Sequence, residues 1–270
     1  MKTGSTAVPR PTLRTTEQID AMRPAGRLVA EAIQLASAAV RPGVTTGELD
    51  RLIAELFSRH GAIPLFKNYP HPQGQMPFPA VTCISVNEEV VHGIPGPRVL
   101  QQGDVVKIDT GCKLNGWCGD SAVTVAVGAV PAEVTNLLKA TEDSLWLAIR
   151  ELGRRTWWSE IAGQMQSHIA AAGFAMVEQM VGHGIGRVLH EPPQVPNVTG
   201  PKWTKEDFRL EPGLVLAIEP IANQGSKDVK SLNDFWTVAT MDGQASAHFE
   251  HTVALTPDGP VVLTARQAGH

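Results

Sequence analysis

GDVVKID at 103–109 lies over GLVLAIE at 213–219, and the overlay puts Asp109 on Glu219. Both stretches are apolar strand-like runs that stop at a carboxylate. A second overlay, displaced by 130 residues, puts Asp120 on Glu250. Helical patterns match as well. TTGELDRLIAELFSRHGA at 45–62 falls on WWSEIAGQMQSHIAAAGF at 157–174, with Leu49 on Ile161, Ile53 on Met165, Phe57 on Ile169 and Gly61 on Gly173. The chain therefore runs from helices to acid-bearing strands twice, which is the mark of an internal duplication. The reading is an α+β protein with equivalent halves at about 45–127 and 157–256, inside one domain spanning 16–270. His183 is not explained by either overlay.

Working outward, a helix is predicted from Thr15 or Thr16, with Glu17 and Asp20 in its first turn, where the helix dipole favours acids. Met22, Leu28, Val29, Ile33 and Ala36 recur at helical spacing, and RPGV at 41–44 ends the run. Thr46 is the expected cap of the next helix. Residues 68–79 are rich in Pro and Gln and are read as a loop. Asn115–Gly116 signals a hairpin that would set Asp109 and Asp120 opposite each other. Further helices are expected over 135–152 and 158–172, and strands at WTVATM and FEHTVALT. GHGIG at 182–186 reads as a loop by its glycines, and the last residues, ARQAGH, read as disordered.

Composition narrows the function. The hydrophobic content of 43% and charged content of 19% are those of a globular protein. A net charge of −4 without like-charge blocks argues against a nucleic-acid partner. No apolar run is long enough for a membrane span. Cys83, Cys112 and Cys118 form no CxxC pair, so a reducing, cytoplasmic setting is expected. Residues 1–15 read as a flexible arm; a transit peptide would need amphipathic helical spacing, which is missing.

Asp109, Asp120, Glu219 and Glu250 each adjoin a strand that looks buried. An ionised carboxylate there is costly unless it is paired or bound to metal. Four acids cannot neutralise one another, and the direction of Lys107 is open from its strand position. Divalent cations would meet the charge. Oxygen donors with one imidazole, for which His183 is the candidate, suit Mn, Fe, Co or Zn better than a thiolate site would. Two such ions sharing a water make a hydrolase arrangement.

The sequence at this point resembles a type I methionine aminopeptidase. The resemblance rests on SVNEEVVHGIPG (85–96), GDVVKIDTG (103–111), NGWCGDSAVTV (115–125), GHGIGRVLHEPPQV (182–195), PGLVLAIEP (212–220) and FWTVATMDGQASAHFEHTV (235–253), in family order over roughly 16–258. It implies the pita-bread fold, a curved antiparallel sheet of two halves backed by helices. It implies two divalent metals, with Asp120 and Glu250 bridging, Asp109 completing one site, and His183 with Glu219 the other. Glu219 would also take the proton of the attacking water. His92 would contact the substrate near the scissile bond, and His190 would hold the peptide carbonyl. Cys83, Phe78, Trp236 and Tyr69 would line the methionine pocket. The implied substrate is a nascent chain or peptide with N-terminal methionine and a small second residue. The resemblance allows ribosome docking, and a monomer is the default.

The chain departs from the family in two places. Cys118 stands where the family commonly has His, at a position that is not a ligand. The family's short Asn-Tyr-His-Gly-Phe-Pro stretch before Cys83 is replaced by Asn68 and Tyr69 followed by PHPQGQMP and Phe78, a longer loop. Two rivals share the fold. A proline-specific aminopeptidase usually carries an extra N-terminal domain, whereas only about forty residues precede Thr45 here. A non-catalytic binding relative would have lost ligands, and all five are present.

Overall fold

Thr15 starts the first helix. Its hydroxyl accepts the Gln18 N–H, and the Gln18 side chain accepts the Thr15 N–H, so two unpaired donors are satisfied reciprocally. Helix α1 spans Thr16–Ala39 and buries Met22, Leu28, Val29, Ile33 and Ala36, the expected stripe. Thr45 and Glu48 form the same box ahead of α2, Thr46–Arg59. The cap is thus Thr45, one residue before the expected Thr46. Thr46 is buried, and its hydroxyl is used instead on the backbone of Gly96.

The computed structural model describes residues 10–266. After α2 come β1 (Ile63–Pro64), β2 (Thr82–Val86), β3 (Glu89–Val91), β4 (Val105–Leu114) and β5 (Trp117–Ala126). Then follow α3 (Ala132–Glu151), α4 (Trp158–Ala171), β6 (Ala175–Met176), β7 (Val181–Gly184), β8 (Glu191–Pro196) and α5 (Pro201–Thr204). The chain continues through β9 (Val215–Ile218), β10 (Ile221–Asn223), β11 (Val229–Ser231), β12 (Val238–Thr240), β13 (Ser246–His248), β14 (His251–Thr256) and β15 (Gly259–Val262). Two of these assignments differ from the sequence reading. The first half of GHGIG lies on β7, because Gly182 and Gly184 pair with the neighbouring strands rather than turning. ARQAGH is ordered as far as Arg266, whose guanidinium donates to the Ser121 hydroxyl at 2.8 Å; residues 267–270 and 1–9 lie outside the described residues.

The first half is built on β4, which pairs antiparallel with β1, β2 and β5. Leu28, Val29 and Ile33 of α1 and Ile53 and Phe57 of α2 pack on Ile84, Val106 and Ile108. The second half repeats the scheme with an antiparallel sheet in the order β15-β14-β9-β7-β8. Trp158, Ile161, Met165 and Ile169 of α4 pack on its Leu216, Ile218 and Val253. Small sheets β13-β10-β6 and β11-β12-β3 complete the architecture. This is the expected pita-bread arrangement.

The halves meet where β5 faces β14, and hydroxyls replace much of the backbone ladder. Thr252 Oγ1 accepts the Asp120 N–H at 3.0 Å and donates to the Asp120 carbonyl at 2.8 Å. Ser121 Oγ donates to the Glu250 carbonyl at 2.6 Å, and the Glu250 N–H reaches Ala122 O at 2.9 Å. Thr124 Oγ1 donates to the His248 carbonyl and accepts the His248 N–H. A hydroxyl inserted between two backbones holds them farther apart than a direct N–H to carbonyl bond would. The seam therefore joins the halves while leaving side chains room above it.

Candidate metal centre

The hairpin delivers two acids. Asn115 and Gly116 both have positive φ, 52° and 78°, as a two-residue hairpin turn requires. The resulting register pairs Asp109 with Ala122 and Gly111 with Asp120. The acids are therefore diagonal neighbours on one face rather than directly opposite. Gly111 makes this possible, since a Cβ there would lie 3.0 Å from Asp120 Oδ1. In the second half β9 pairs with β14 so that Ile218 faces His251. Continuing that register sets Glu219 against Glu250. His183 stands beside Ala217 on the other flank of β9.

These elements bring the donors together. One donor atom each from Asp120, His183 and Glu250 lies within 4.8 Å of the others. His183 Nε2 is 3.8 Å from both Asp120 Oδ2 and Glu219 Oε1. His183 Nδ1 is 2.9 Å from the Gly184 carbonyl. A carbonyl can only accept, so the ring proton sits on Nδ1 and the Nε2 lone pair faces the acids.

The electrostatics favour cations. Burial, then the charges of Asp120 and Glu219, push the Asp109 carboxyl well above the usual carboxylate range. Burial and Asp120 do the same to Glu219, and burial with Asp120, Glu219 and Asp109 to Glu250. Burial raises Asp120 to about 7. Burial lowers His183 to about 3, with the neighbouring His190 adding to the effect, so its imidazole is neutral. Lys107 does not relieve the acids: its buried Nζ donates to the carbonyls of Asn87 at 2.6 Å and Ser246 at 3.2 Å.

Asp109 Oδ1, Asp120 Oδ1 and Glu250 Oε1 are buried without a hydrogen-bond partner among the described residues. Orphaned anionic oxygens at such a site are what divalent cations would satisfy. The donor set, oxygens with a neutral imidazole and no thiolate, fits those ions.

The acids line a cavity of about 520 Å³. Every residue expected in the site lines it: Asp109, Asp120, His183, Glu219, Glu250, His92, His190, Cys83, Phe78, Trp236 and Tyr69. His92 sits at φ 59° in a turn pressed against β2. Gly93 permits that approach, since a Cβ there would lie 2.4 Å from the Ile84 carbonyl. Burial, then the nearby His190, lowers His92 to about 4. The Tyr69 hydroxyl is 2.7 Å from His190 Nδ1. From the sequence, Glu191 is the natural ion partner of His190, but it is taken by Arg14.

His248 also lines the cavity, with Nε2 3.9 Å from Glu219 Oε2. The sequence reading missed it. The signal was present: in HFEH it lies two residues from Glu250, which on extended chain means the same face. Phe66 and Leu189 were missed as well and join the apolar wall.

Buried carboxylates and a neutral imidazole lining one cavity make the donor set of a metal-dependent hydrolase. Residues 20–257 match metallopeptidase family M24. Methionine aminopeptidase of Clostridium perfringens (strain 13 / Type A) is 45% identical over 252 residues, covering 93% of this chain and 98% of the relative. Methionine aminopeptidase 1 of Bacillus subtilis (strain 168) is 44% identical, with 93% and 98% covered. The chain belongs to metallopeptidase family M24, among its methionine aminopeptidases. The crystal structure of methionine aminopeptidase from Rickettsia prowazekii superposes with a TM-score of 0.87 at 34% identity, covering 95% of this chain and 100% of that one. Prolidase from Pyrococcus furiosus, at 19% identity and TM-score 0.74, shares the fold; this chain covers 66% of it.

Proposed function

We propose that this chain removes the N-terminal methionine from nascent proteins and peptides, preferentially before a small second residue. Asp109, Asp120, His183, Glu219 and Glu250 would hold two divalent ions, Co, Mn, Fe or Zn. Asp120 and Glu250 would serve both ions, Asp109 one of them, and His183 with Glu219 the other. The observation that carries this is the set of buried carboxylate oxygens, without partners among the described residues, that line a cavity together with apolar side chains.

When bound, the ions act as Lewis acids toward the peptide carbonyl and lower the pKa of water. The protein supplies the rest. Glu219 receives the proton of the attacking water. The Tyr69 phenol lies 2.7 Å from His190 Nδ1. In the tautomer in which the phenol donates, the His190 proton sits on Nε2 and is available to hydrogen-bond the substrate carbonyl, stabilising charge that develops there. His92 is neutral near pH 7, because burial holds it near 4, and contacts the substrate beside the scissile bond. Phe78, Cys83 and Trp236 form an apolar wall that makes no hydrogen-bond demand on a thioether. Residues 16–270 act as one catalytic unit behind a short arm, 1–15, as a monomer in the cytoplasm, with the ribosome as the place where substrate emerges. No helix among the described residues is long and apolar enough to cross a membrane.

The test is release of methionine from Met-Ala-Ser by purified protein. EDTA should abolish it, and Mn, Co, Fe or Zn should restore it. Metal-replete protein that spares this peptide but cleaves Xaa-Pro peptides would reverse the assignment.

A further inference from the structure

Residues 70–77, the stretch longer than in the family, form an excursion in the wall of the cavity. Its base is closed by the Phe78 N–H on Tyr69 O at 3.0 Å and the Asn68 N–H on Phe78 O at 2.8 Å. Pro70 and residues 72–77 are exposed, while His71 is half-buried between them. We propose that His71 is a positioning residue for methionine selectivity, holding the Trp236 wall of the pocket through the turn that carries it. The inference rests on the function proposed above.

The hydrogen bonds assign the imidazole. His71 Nδ1 accepts the Gln73 N–H at 3.1 Å. The ring proton is therefore on Nε2, which donates to the Phe235 carbonyl at 3.0 Å. Phe235 sits at φ 69°, a region that bulky residues rarely adopt, and its side chain is exposed. Burial of its own ring does not hold it there. Asp234 braces the same turn by accepting the N–H groups of Trp236 and Thr237. His71 grips it from the opposite wall.

The indole itself is held from the excursion. Trp236 Nε1 donates to Met76 O at 2.9 Å. The His71 ring stands edge-on to Trp236 at 4.9 Å, and Phe78 at 5.2 Å, the geometry aromatic quadrupoles favour. Trp236 and Phe78 both face the cavity; His71 does not line it. His71 thus stands outside the lining that carries the acids and acts through Trp236. Without it the indole has more freedom, the pocket fits a straight thioether less tightly, and branched side chains are excluded less sharply.

The experiment compares methionine release from Met-Ala-Ser with leucine release from Leu-Ala-Ser. His71→Ala should raise KM for Met-Ala-Ser roughly fivefold, the loss of one neutral hydrogen bond, at nearly unchanged kcat. The preference for methionine over leucine should narrow by a similar factor. His71→Gln, whose amide N–H can replace Nε2, should restore most of both, and bound metal should be unchanged in each. Trp236→Phe, which keeps a ring and loses the indole N–H, should shift KM in the same direction as His71→Ala. The proposal is overturned if His71→Ala keeps the wild-type KM and preference, or if it loses kcat or metal at unchanged KM. Failure of the wild-type protein to release methionine overturns both readings, whereas a variant that matches an active wild type overturns only this one.

Discussion

Thr252 holds Asp120 by both of its backbone groups, accepting its N–H at 3.0 Å and donating to its carbonyl at 2.8 Å. The residues lie 132 positions apart and on different halves. Asp120 therefore takes its place from the seam as much as from its own hairpin.

Thr252→Val keeps the shape and removes the hydroxyl. Two buried backbone groups then lose their partner, each at about 1–3 kcal/mol. A stability loss of roughly 2–6 kcal/mol is expected in urea unfolding, with weaker metal binding in a titration. Wild-type values for both would mean that the seam does not set the position of Asp120.

Metal removal should leave a protein whose stability depends on pH. Burial holds the Asp120 acid near 7 in the folded chain, against 3.8 as its ordinary value. Through Asp120 the folded state then binds more protons than the unfolded state between those values, which lowers stability as pH rises. Asp109, Glu219 and Glu250 are shifted in the same direction. His92, His183, His248 and His251, held by burial at about 3 to 4 against an ordinary 6.5, act in the opposite sense up to about 6.5. The net fall in stability is therefore expected from about 6.5 upward through 7. Thermal unfolding of chelated protein should show a falling midpoint over that window, and added divalent metal should raise the midpoint most at its upper end. A flat profile would contradict the burial of these charges.

Tyr69→Phe deletes the phenol on His190 Nδ1 and little else. The ring proton of His190 is then free to move to Nδ1, which removes the donor from Nε2. A fall in kcat of about tenfold is expected, in the range of a lost oxyanion contact weakened but not abolished. KM and metal content should hold. A change confined to KM would place Tyr69 in side-chain binding alone.

Arg14→Ala should act on the same histidine from another direction. The Arg14 guanidinium pairs with Glu191, whose other oxygen accepts the N–H of Arg187 at 2.7 Å and of Val188 at 3.3 Å. Both side chains are about nine-tenths buried, at 9% and 12% exposure. Removing one partner strands a charge beside His190, at a cost of about 3 kcal/mol in denaturant unfolding. Methionine release should fall too, and Arg14→Lys should recover part of each. Unchanged stability would show that Glu191 holds the turn without Arg14.

Much of this protein was legible along the chain. Helix caps, amphipathic stripes and the Asn115–Gly116 turn are decided by residues a few positions apart, and they appear where local chemistry puts them. The carboxylates betrayed themselves by ending apolar runs, since an acid there needs a special partner. The sequence alone could therefore name the acids and the duplicated plan. The two-residue turn already carries the diagonal offset of Asp109 and Asp120, and HFEH already carries His248. The sequence could not set Thr252 on Asp120, pair Glu191 with Arg14 or lead the 70–77 excursion to Trp236. Those relationships join residues more than a hundred positions apart, and tertiary packing decides them. Periodicity assigns a side chain to a face; only the packing of one sheet against the other decides what that face meets.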